Sequence, residues 1–317
     1  AWGAGYWLGG TGWLIVSIYY YGNTSIYIAL LIITFMAILL SVVFIGPICL
    51  IYSVRTTNNY LAHSLLCAGV LTVIELLRFT LLGGFPWLLP GLVLIDTIGQ
   101  DLIPLIGIYG GSFFIYFISL FLLGSFQNKS YKQAFIGLCL LMILYPHPGY
   151  KQPLLDEGMN IAIIQPSLDP FQKYENSYKN TIESALVNLS NTNTDVDLLI
   201  WPESPLPYLN SSQDMNKLLA RTNNLPAILS GGWEYNNGDL QNVMSVLGEK
   251  QTYAKQHLVV FGEYIPFEGL LRGLIEFFDM PMSTIKAGNS NQELFTINGK
   301  QVLGLICFDI TFPLSYI

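Results

Sequence analysis

The stretch YPHPGYKQPLLDEGMNIAIIQP, residues 145–166, is where this chain changes character. Its first part, Tyr145 to Gly158, is rich in Pro and Gly and reads as a connector. Its last part, MNIAIIQ (159–165), is a short apolar run stopped by Pro166, the pattern of a buried strand. The two sides of this junction differ in composition. Of 35 Asp, Glu, Lys and Arg residues in 317, only 7 lie in residues 1–150. The first half therefore reads as membrane and the second as a water-soluble domain. Charged residues make up 11% of the whole, well below the quarter usual in soluble domains. That excludes a single soluble globule, a disordered chain and a disulfide scaffold. A net charge of −7 argues against a nucleic-acid partner.

A membrane helix needs about 20 mostly apolar residues. Five segments meet or approach that: Trp2–Tyr21, Ile26–Val54, Tyr60–Leu82, Leu102–Phe126 and the short Tyr131–Tyr145. Arg55 follows the second segment, and Lys129 and Lys132 separate the fourth from the fifth. The positive-inside rule makes both loops cytoplasmic and puts everything after about residue 147 outside the cytoplasm. Glu75 and Arg78, three residues apart in the third segment, are expected to form an ion pair that ties helices together or to contact a polar headgroup. Gly83-Gly84-Phe85-Pro86-Trp87 reads as an interfacial or re-entrant loop. Cys49, Cys67 and Cys139 sit in apolar runs and are expected to be small buried hydrophobes. No Cys or His spacing suggests a metal, and His63, His147 and His257 are expected to be structural.

Beyond the junction the periodicity alternates. A helix is expected over 171–190, from Tyr174, Tyr178, Ile182, Ala185, Leu186 and Leu189, and a second over 213–223. Strands are expected at Val196–Trp201, Pro226–Ser230, Val243–Leu247 and Val302–Cys307. This is an α/β layered domain with a largely buried sheet. Glu203, Lys255 and Cys307 fall where such strands end, at the cleft side of a layered sheet. Together they suit acyl transfer without a histidine. A carboxylate can take the thiol proton, since the thiolate is the nucleophile. The thiolate can form a thioester, and an ammonium can stabilise the oxyanion.

The stretches WPES (201–204), KQHLVVFGEYIP (255–266), FFDMPMS (277–283) and GLICFDITFP (304–313) resemble the apolipoprotein N-acyltransferase family. ELLR…GGFPWLLPG (75–91) is similar to that family's membrane-loop pattern. The resemblance implies a multi-pass helical membrane domain (1–147), a linker (148–158) and a nitrilase-like, carbon–nitrogen hydrolase αββα sandwich (159–317). It implies a catalytic triad of Glu203, Lys255 and Cys307, with Glu263 orienting Lys255 or the substrate amine. The implied reaction is ping-pong. A fatty acyl group leaves a phospholipid, usually phosphatidylethanolamine, for the cysteine as a thioester. It then passes to the α-amino group of the lipidated N-terminal cysteine of a diacylglyceryl apolipoprotein. No cofactor is implied, and a monomer in the bacterial inner membrane with a periplasmic catalytic domain is expected.

The departures are specific. Where the family usually has Tyr then Glu after the cysteine, this chain has Phe308 and Asp309, one lacking a hydroxyl and the other a methylene. A family aromatic before the first helix, usually Trp, falls on Tyr174. The family also continues past residue 317 and begins earlier, so the chain is expected to be a piece of a longer protein, incomplete at both ends. Residues 261–286 are unusually greasy for an exterior loop. They are expected either to pack into the core or to form a lipid-facing lid built on Phe267, Leu271, Phe277, Phe278 and Met282. Two competing readings are an amidase-type carbon–nitrogen hydrolase using the same trio, and a non-catalytic lipid- or lipoprotein-binding membrane protein.

Overall fold

The structure, a computed structural model, describes residues 2–22, 24–53, 59–80, 84–147, 158–169, 171–271 and 284–312. The chain divides into two compact units on either side of Pro153.

The first unit is helical: α1 Trp2–Thr11, α2 Leu14–Val16, α3 Ile26–Ser53, α4 Tyr60–Thr80, α5 Ile103–Gln127 and α6 Tyr131–Leu140. Among the described residues, three stretches are helices long and apolar enough to cross a membrane: Ile26–Gly46, Tyr60–Thr80 and Ile98–Gln127. The other two expected segments fall short. The Gly-rich run Trp2–Tyr21 breaks into α1, α2 and a π-helical turn, as its glycine content favours. Tyr131–Leu144 is a shorter apolar helix. Within Ile98–Gln127 the helix bends at Gly107, which adopts φ 67°. The backbone of Pro90–Leu94 runs directly against α5. A Cβ on Gly91 would come within 2.1 Å of the Ile108 carbonyl oxygen, and the Gly91 N–H donates to Ser112 Oγ at 3.0 Å.

The expected Glu75–Arg78 ion pair is not formed: no guanidinium nitrogen of Arg78 lies within 4 Å of a Glu75 carboxylate oxygen. Glu75 instead accepts from the Tyr116 hydroxyl at 2.5 Å, joining α4 to α5. The Arg78 guanidinium lies 5.0 Å over the Trp7 ring. Cys139 is exposed rather than buried, on an apolar helix, while Cys67 is buried as expected.

The second unit is built on a five-stranded mixed sheet in the order β1-β2-β3-β4-β5, with β1 Ile161–Ile163, β2 Leu198–Ile200, β3 Ala227–Asn236, β4 Asp239–Val246 and β5 Thr252–Ala254. The first three strands run parallel and the last two pairings are antiparallel. Alternate side chains of β2 bury on opposite faces. Leu199 joins Ile182, Leu186, Met215 and Leu218 beneath α7 Lys179–Asn191 and α8 Gln213–Thr222. Leu198 joins Leu229, Tyr253, Phe295 and Ile306 on the other face. Two-sided burial explains why β2 is apolar without alternation. Helix α8 starts where Ser212 Oγ accepts the Met215 N–H at 3.1 Å. The short α9 Glu268–Leu271 follows, and β6 Phe295–Ile297 pairs with β7 Lys300–Val302 as a separate two-stranded sheet.

Three element boundaries differ from expectation. Residues 171–178 are turns, and α7 begins only at Lys179; Asp169 Oδ1 accepts the Phe171 N–H at 2.9 Å, a local turn that competes with helix. The strands expected at 226–230 and 243–247 are the inner parts of a long hairpin, closed at Asn237-Gly238 with both residues at positive φ. The strand expected to end at Cys307 stops at Val302. Cys307 has φ 48°, which no strand accommodates, and opens a 3₁₀ turn, Cys307–Thr311.

Candidate active site

Glu203 leaves β2 through Trp201 and Pro202. Trp201 is buried, its indole N–H donating to Ser190 Oγ at 2.9 Å. The Glu203–Ser204 backbone lies against β3 at Gly231, where a Cβ would stand 2.4 Å from the Ser204 nitrogen. Ser204 is held in the left-handed region at φ 43°. Its hydroxyl bonds Asn242 Oδ1 at 3.0 Å, and Asn242 Nδ2 donates to Glu203 Oε1 at 2.7 Å. Asn242 is a buried polar residue in the middle of β4, and this chain of bonds fixes the carboxylate's direction.

Lys255 follows β5 directly and is one of the largest fully buried side chains. Its backbone is tied on both sides: its N–H donates to the Asn242 carbonyl at 2.9 Å, and its own carbonyl accepts the Gly288 N–H at 2.8 Å. The ammonium lies between two carboxylates, 2.9 Å from Glu263 Oε1 and 3.4 Å from Glu203 Oε1. Burial acts to lower its pKa, but the Glu263 bond and the charges of Glu263 and Glu203 outweigh it, so the group titrates above an ordinary lysine. Glu263 is fixed in turn by the Val259 N–H, which donates to its Oε2 at 2.8 Å.

The Cys307 thiol lies within the electrostatic reach of Glu203, Lys255 and Glu263. Although the residue is exposed, desolvation at the sulfur raises its pKa first, the nearby Glu203 carboxylate raises it further, and Lys255 opposes both. The resting sulfur is therefore a thiol.

The turn that presents Cys307 is anchored by Asp309, which is fully buried. Asp309 Oδ2 accepts from the Tyr253 hydroxyl at 2.9 Å and the Ile306 N–H at 3.2 Å. Its Oδ1 accepts the His257 backbone N–H at 2.7 Å and lies 3.1 Å from His257 Nδ1. One carboxylate thus joins the cysteine turn to the segment that carries Lys255. The Phe312 ring stacks on His257 at 3.8 Å, and Phe308 meets Phe312 edge-on at 5.2 Å. Phe308 is buried among these rings, where the missing hydroxyl leaves no polar group to satisfy.

A cavity of about 250 Å³ opens beside Glu203, lined among others by Lys173, Tyr174, Trp233 and Glu263. Tyr174 is largely exposed at its rim. Among the described residues no group of three or more His, Cys, Asp or Glu side chains is placed to share a metal ion.

Glu203, Lys255, Glu263 and Cys307 are thus brought together, with Asp309 and Phe308 behind the cysteine and Tyr174 at the cavity. Sequence reasoning did not find Asn242, Lys173 or Trp233. A buried Asn in the otherwise apolar run NVMSV was the available signal for the first. Of the expected lid, Phe267 is 72% exposed and Ile265 is buried. The Leu271 side chain, Phe277, Phe278 and Met282 lie outside the described residues.

Residues 1–121 match the family model described as apolipoprotein N-acyltransferase N-terminal domain. The chain is similar to the apolipoprotein N-acyltransferase of Pseudomonas aeruginosa, 31% identical over 340 residues, covering 98% of this chain and 65% of the relative. It is similar also to that of Pseudomonas syringae pv. tomato, 29% identical over 344 residues, with 98% and 65% covered. The Haemophilus ducreyi apolipoprotein N-acyltransferase is 28% identical over 333 residues, with 98% and 64% covered. The chain therefore spans just under two thirds of the length of these relatives.

Proposed function

We propose that this chain, which matches the apolipoprotein N-acyltransferase N-terminal model over residues 1–121 and is similar along nearly its whole length to enzymes of that name, is an apolipoprotein N-acyltransferase and transfers a fatty acyl group from a phospholipid to the α-amino group of the lipidated N-terminal cysteine of an apolipoprotein. The observation that carries the reading is the buried Lys255 ammonium held between the carboxylates of Glu203 and Glu263, with the Cys307 thiol in the electrostatic reach of all three.

In the first half-reaction Glu203 takes the thiol proton and the sulfur attacks the ester carbon of the donor. The carbonyl electrons move to oxygen, and the Lys255 ammonium, fixed by Glu263, stabilises that oxyanion. Collapse breaks the ester C–O bond. Protonated Glu203 returns its proton to the departing glycerol oxygen, releasing a lysophospholipid and leaving a thioester on Cys307. In the second half-reaction the acceptor amine attacks the thioester carbon and Glu203 takes an amine proton. The C–S bond then breaks, and Glu203 reprotonates the sulfur. A positioned acid/base contributes about 10²–10⁴-fold and an oxyanion donor about 10²–10³-fold.

The reading extends to the surroundings. The second unit is a nitrilase-like αββα domain, and Arg55, Lys129 and Lys132 face the cytoplasm, placing the site in the periplasm at the inner membrane. Phosphatidylethanolamine is the donor, and a diacylglyceryl apolipoprotein the acceptor. The apolar run 261–286 serves as a lid through Phe267, Leu271, Phe277, Phe278 and Met282. Intact mass measurement of the full-length protein after incubation with phospholipid tests the reaction. A hydroxylamine-sensitive acyl adduct should form and be lost in Cys307→Ala; an adduct that persists in Cys307→Ala refutes the assignment.

A further inference from the structure

Lys173 stands apart from the other cations of its unit. Lys179 and Lys217 meet Asp214, Arg221 meets Glu183, and Lys255 lies between Glu203 and Glu263. Lys250, Lys286 and Lys300 are exposed. Lys173 is half-buried, yet among the described residues no carboxylate lies within 4 Å of its Nζ. Its hydrogen-bond acceptor is the carbonyl of Ser204, next to Glu203. An ammonium has three donors, so two are left for a ligand. The Nζ lies 5.2 Å over the Tyr174 ring and lines the cavity beside Glu203. Burial presses its pKa down, with the Glu203 charge acting the other way. A buried charge without a counter-ion is costly, and an anion in the cavity would offset that cost.

A second donor faces the same space. Trp233, only 8% exposed, lines the cavity, and its indole N–H closes no hydrogen bond of normal geometry among the described residues, although it is directed at the Tyr174 hydroxyl. Indole is a donor and never an acceptor. An ammonium and an indole N–H on one wall select for an oxyanion. Glu203 and Glu263 also line the cavity, and both share their charge with the Lys255 ammonium, Glu203 with Asn242 as well.

We propose that Lys173 and Trp233 form a subsite for the phosphodiester oxyanion of the acyl donor, selecting phosphate-bearing lipids over neutral glycerolipids. The inference rests on the acyl-transfer reading for its donor. In a glycerophospholipid the phosphate and the scissile ester are one glycerol unit apart. A phosphate held at Lys173 therefore keeps the ester carbonyl near Glu203 and Cys307.

The test uses the full-length protein in neutral detergent micelles, with phosphatidylethanolamine and a diacylglycerol of the same acyl chains as competing donors. Wild type should be acylated preferentially by the phospholipid. Lys173→Gln should lower the ratio of the two kcat/KM values at least tenfold, mainly through KM for the phospholipid, and Lys173→Arg should keep most of the preference. An unchanged ratio, or equal loss toward both donors, overturns the subsite. Inorganic phosphate separates two sources of the oxyanion. Suppression of the wild-type preference but not of the residual Lys173→Gln activity supports a site open to free phosphate. No suppression, with the Lys173→Gln effect intact, supports a site that reads phosphate only as part of a lipid. A second readout needs no chemistry. Native mass spectrometry of Cys307→Ala should show phosphatidylethanolamine retained over diacylglycerol, and Cys307→Ala with Lys173→Gln should not. Equal retention in the two proteins overturns the subsite even if acyl-enzyme forms, and failure of acyl-enzyme formation with selective retention refutes the reaction alone.

Discussion

Asp309→Asn should disable the cysteine turn while leaving the sheet folded. The carboxylate accepts at both oxygens: from Tyr253 and Ile306 on one, and from the His257 backbone N–H on the other, with His257 Nδ1 beside it. An amide keeps only one acceptor, so its NH₂ group must face one pair of donors. Two hydrogen bonds to a buried charge are lost, at about 1.5–3 kcal/mol each, for a total of about 3–6 kcal/mol. The cost is local because the strands around it pair through backbone bonds that the substitution does not touch. It falls on a turn already held at φ 48°, so that turn should relax first. At 1.4 kcal/mol per decade, the population with Cys307 beside Glu203 should drop by about 10²–10⁴. Acyl-enzyme formation followed by intact mass should slow by that factor, with thermal unfolding still cooperative. Acylation within tenfold of wild type would refute the claim that Asp309 holds the nucleophile in place.

Three further outcomes follow from the geometry. Alkylation of Cys307 by iodoacetamide should rise with pH at an inflection above that of an ordinary cysteine. Glu203→Gln should shift the inflection down, since it removes an anion and an acceptor that both favour the thiol, even as acyl transfer slows by about 10²–10⁴-fold; an upward shift would contradict the pairing. Gly231→Ala places a methyl 2.4 Å from the Ser204 nitrogen, so it should displace Glu203 and cut acylation strongly, with circular dichroism unchanged; a fully active variant would show that the loop position is unimportant. A reporter active only outside the cytoplasm should work when fused near Asn210 and be silent near Lys129, and the reverse pattern would overturn the proposed topology.

What the sequence made legible, and what it hid, divides by range. Apolar runs and breakers placed α3, α4 and α5, the two helices under the sheet, and β2, because each depends on its own residues. Asn237-Gly238 and Asn298-Gly299, both at positive φ, are local hairpin signals that could have supplied the long β3–β4 hairpin and β6–β7. The candidate residues Glu203, Lys255, Glu263 and Cys307 were legible because motif order carries those positions. Their supports were not. Asn242 orients Glu203 only through the register that sets it opposite Trp233, and Lys173 reaches Ser204 through a turn with no periodic signal. The left-handed backbone at Cys307 was hidden as well, since GLIC has the apolar pattern of a strand and only Asp309, tied to Tyr253 and His257, bends it out of one.

On the proposed mechanism, the charge arrangement would let the site manage without histidine. At rest it holds two carboxylates, one ammonium and a neutral thiol. When the thiol proton moves to Glu203, the negative charge moves from an oxygen near Lys255 to a sulfur that feels the same ammonium. The net charge of the enclosure does not change, so the step requires no new counter-ion and little reorganisation of solvent. In that step Glu263 would keep its 2.9 Å bond to Lys255 while Glu203 carries the proton. Without it, the ammonium would lose its second partner just as the first became protonated. The raised pKa of Lys255 and the raised pKa of Cys307 then have one origin, burial aside: a pair of carboxylates that keeps the lysine charged and the sulfur protonated until a substrate carbonyl arrives.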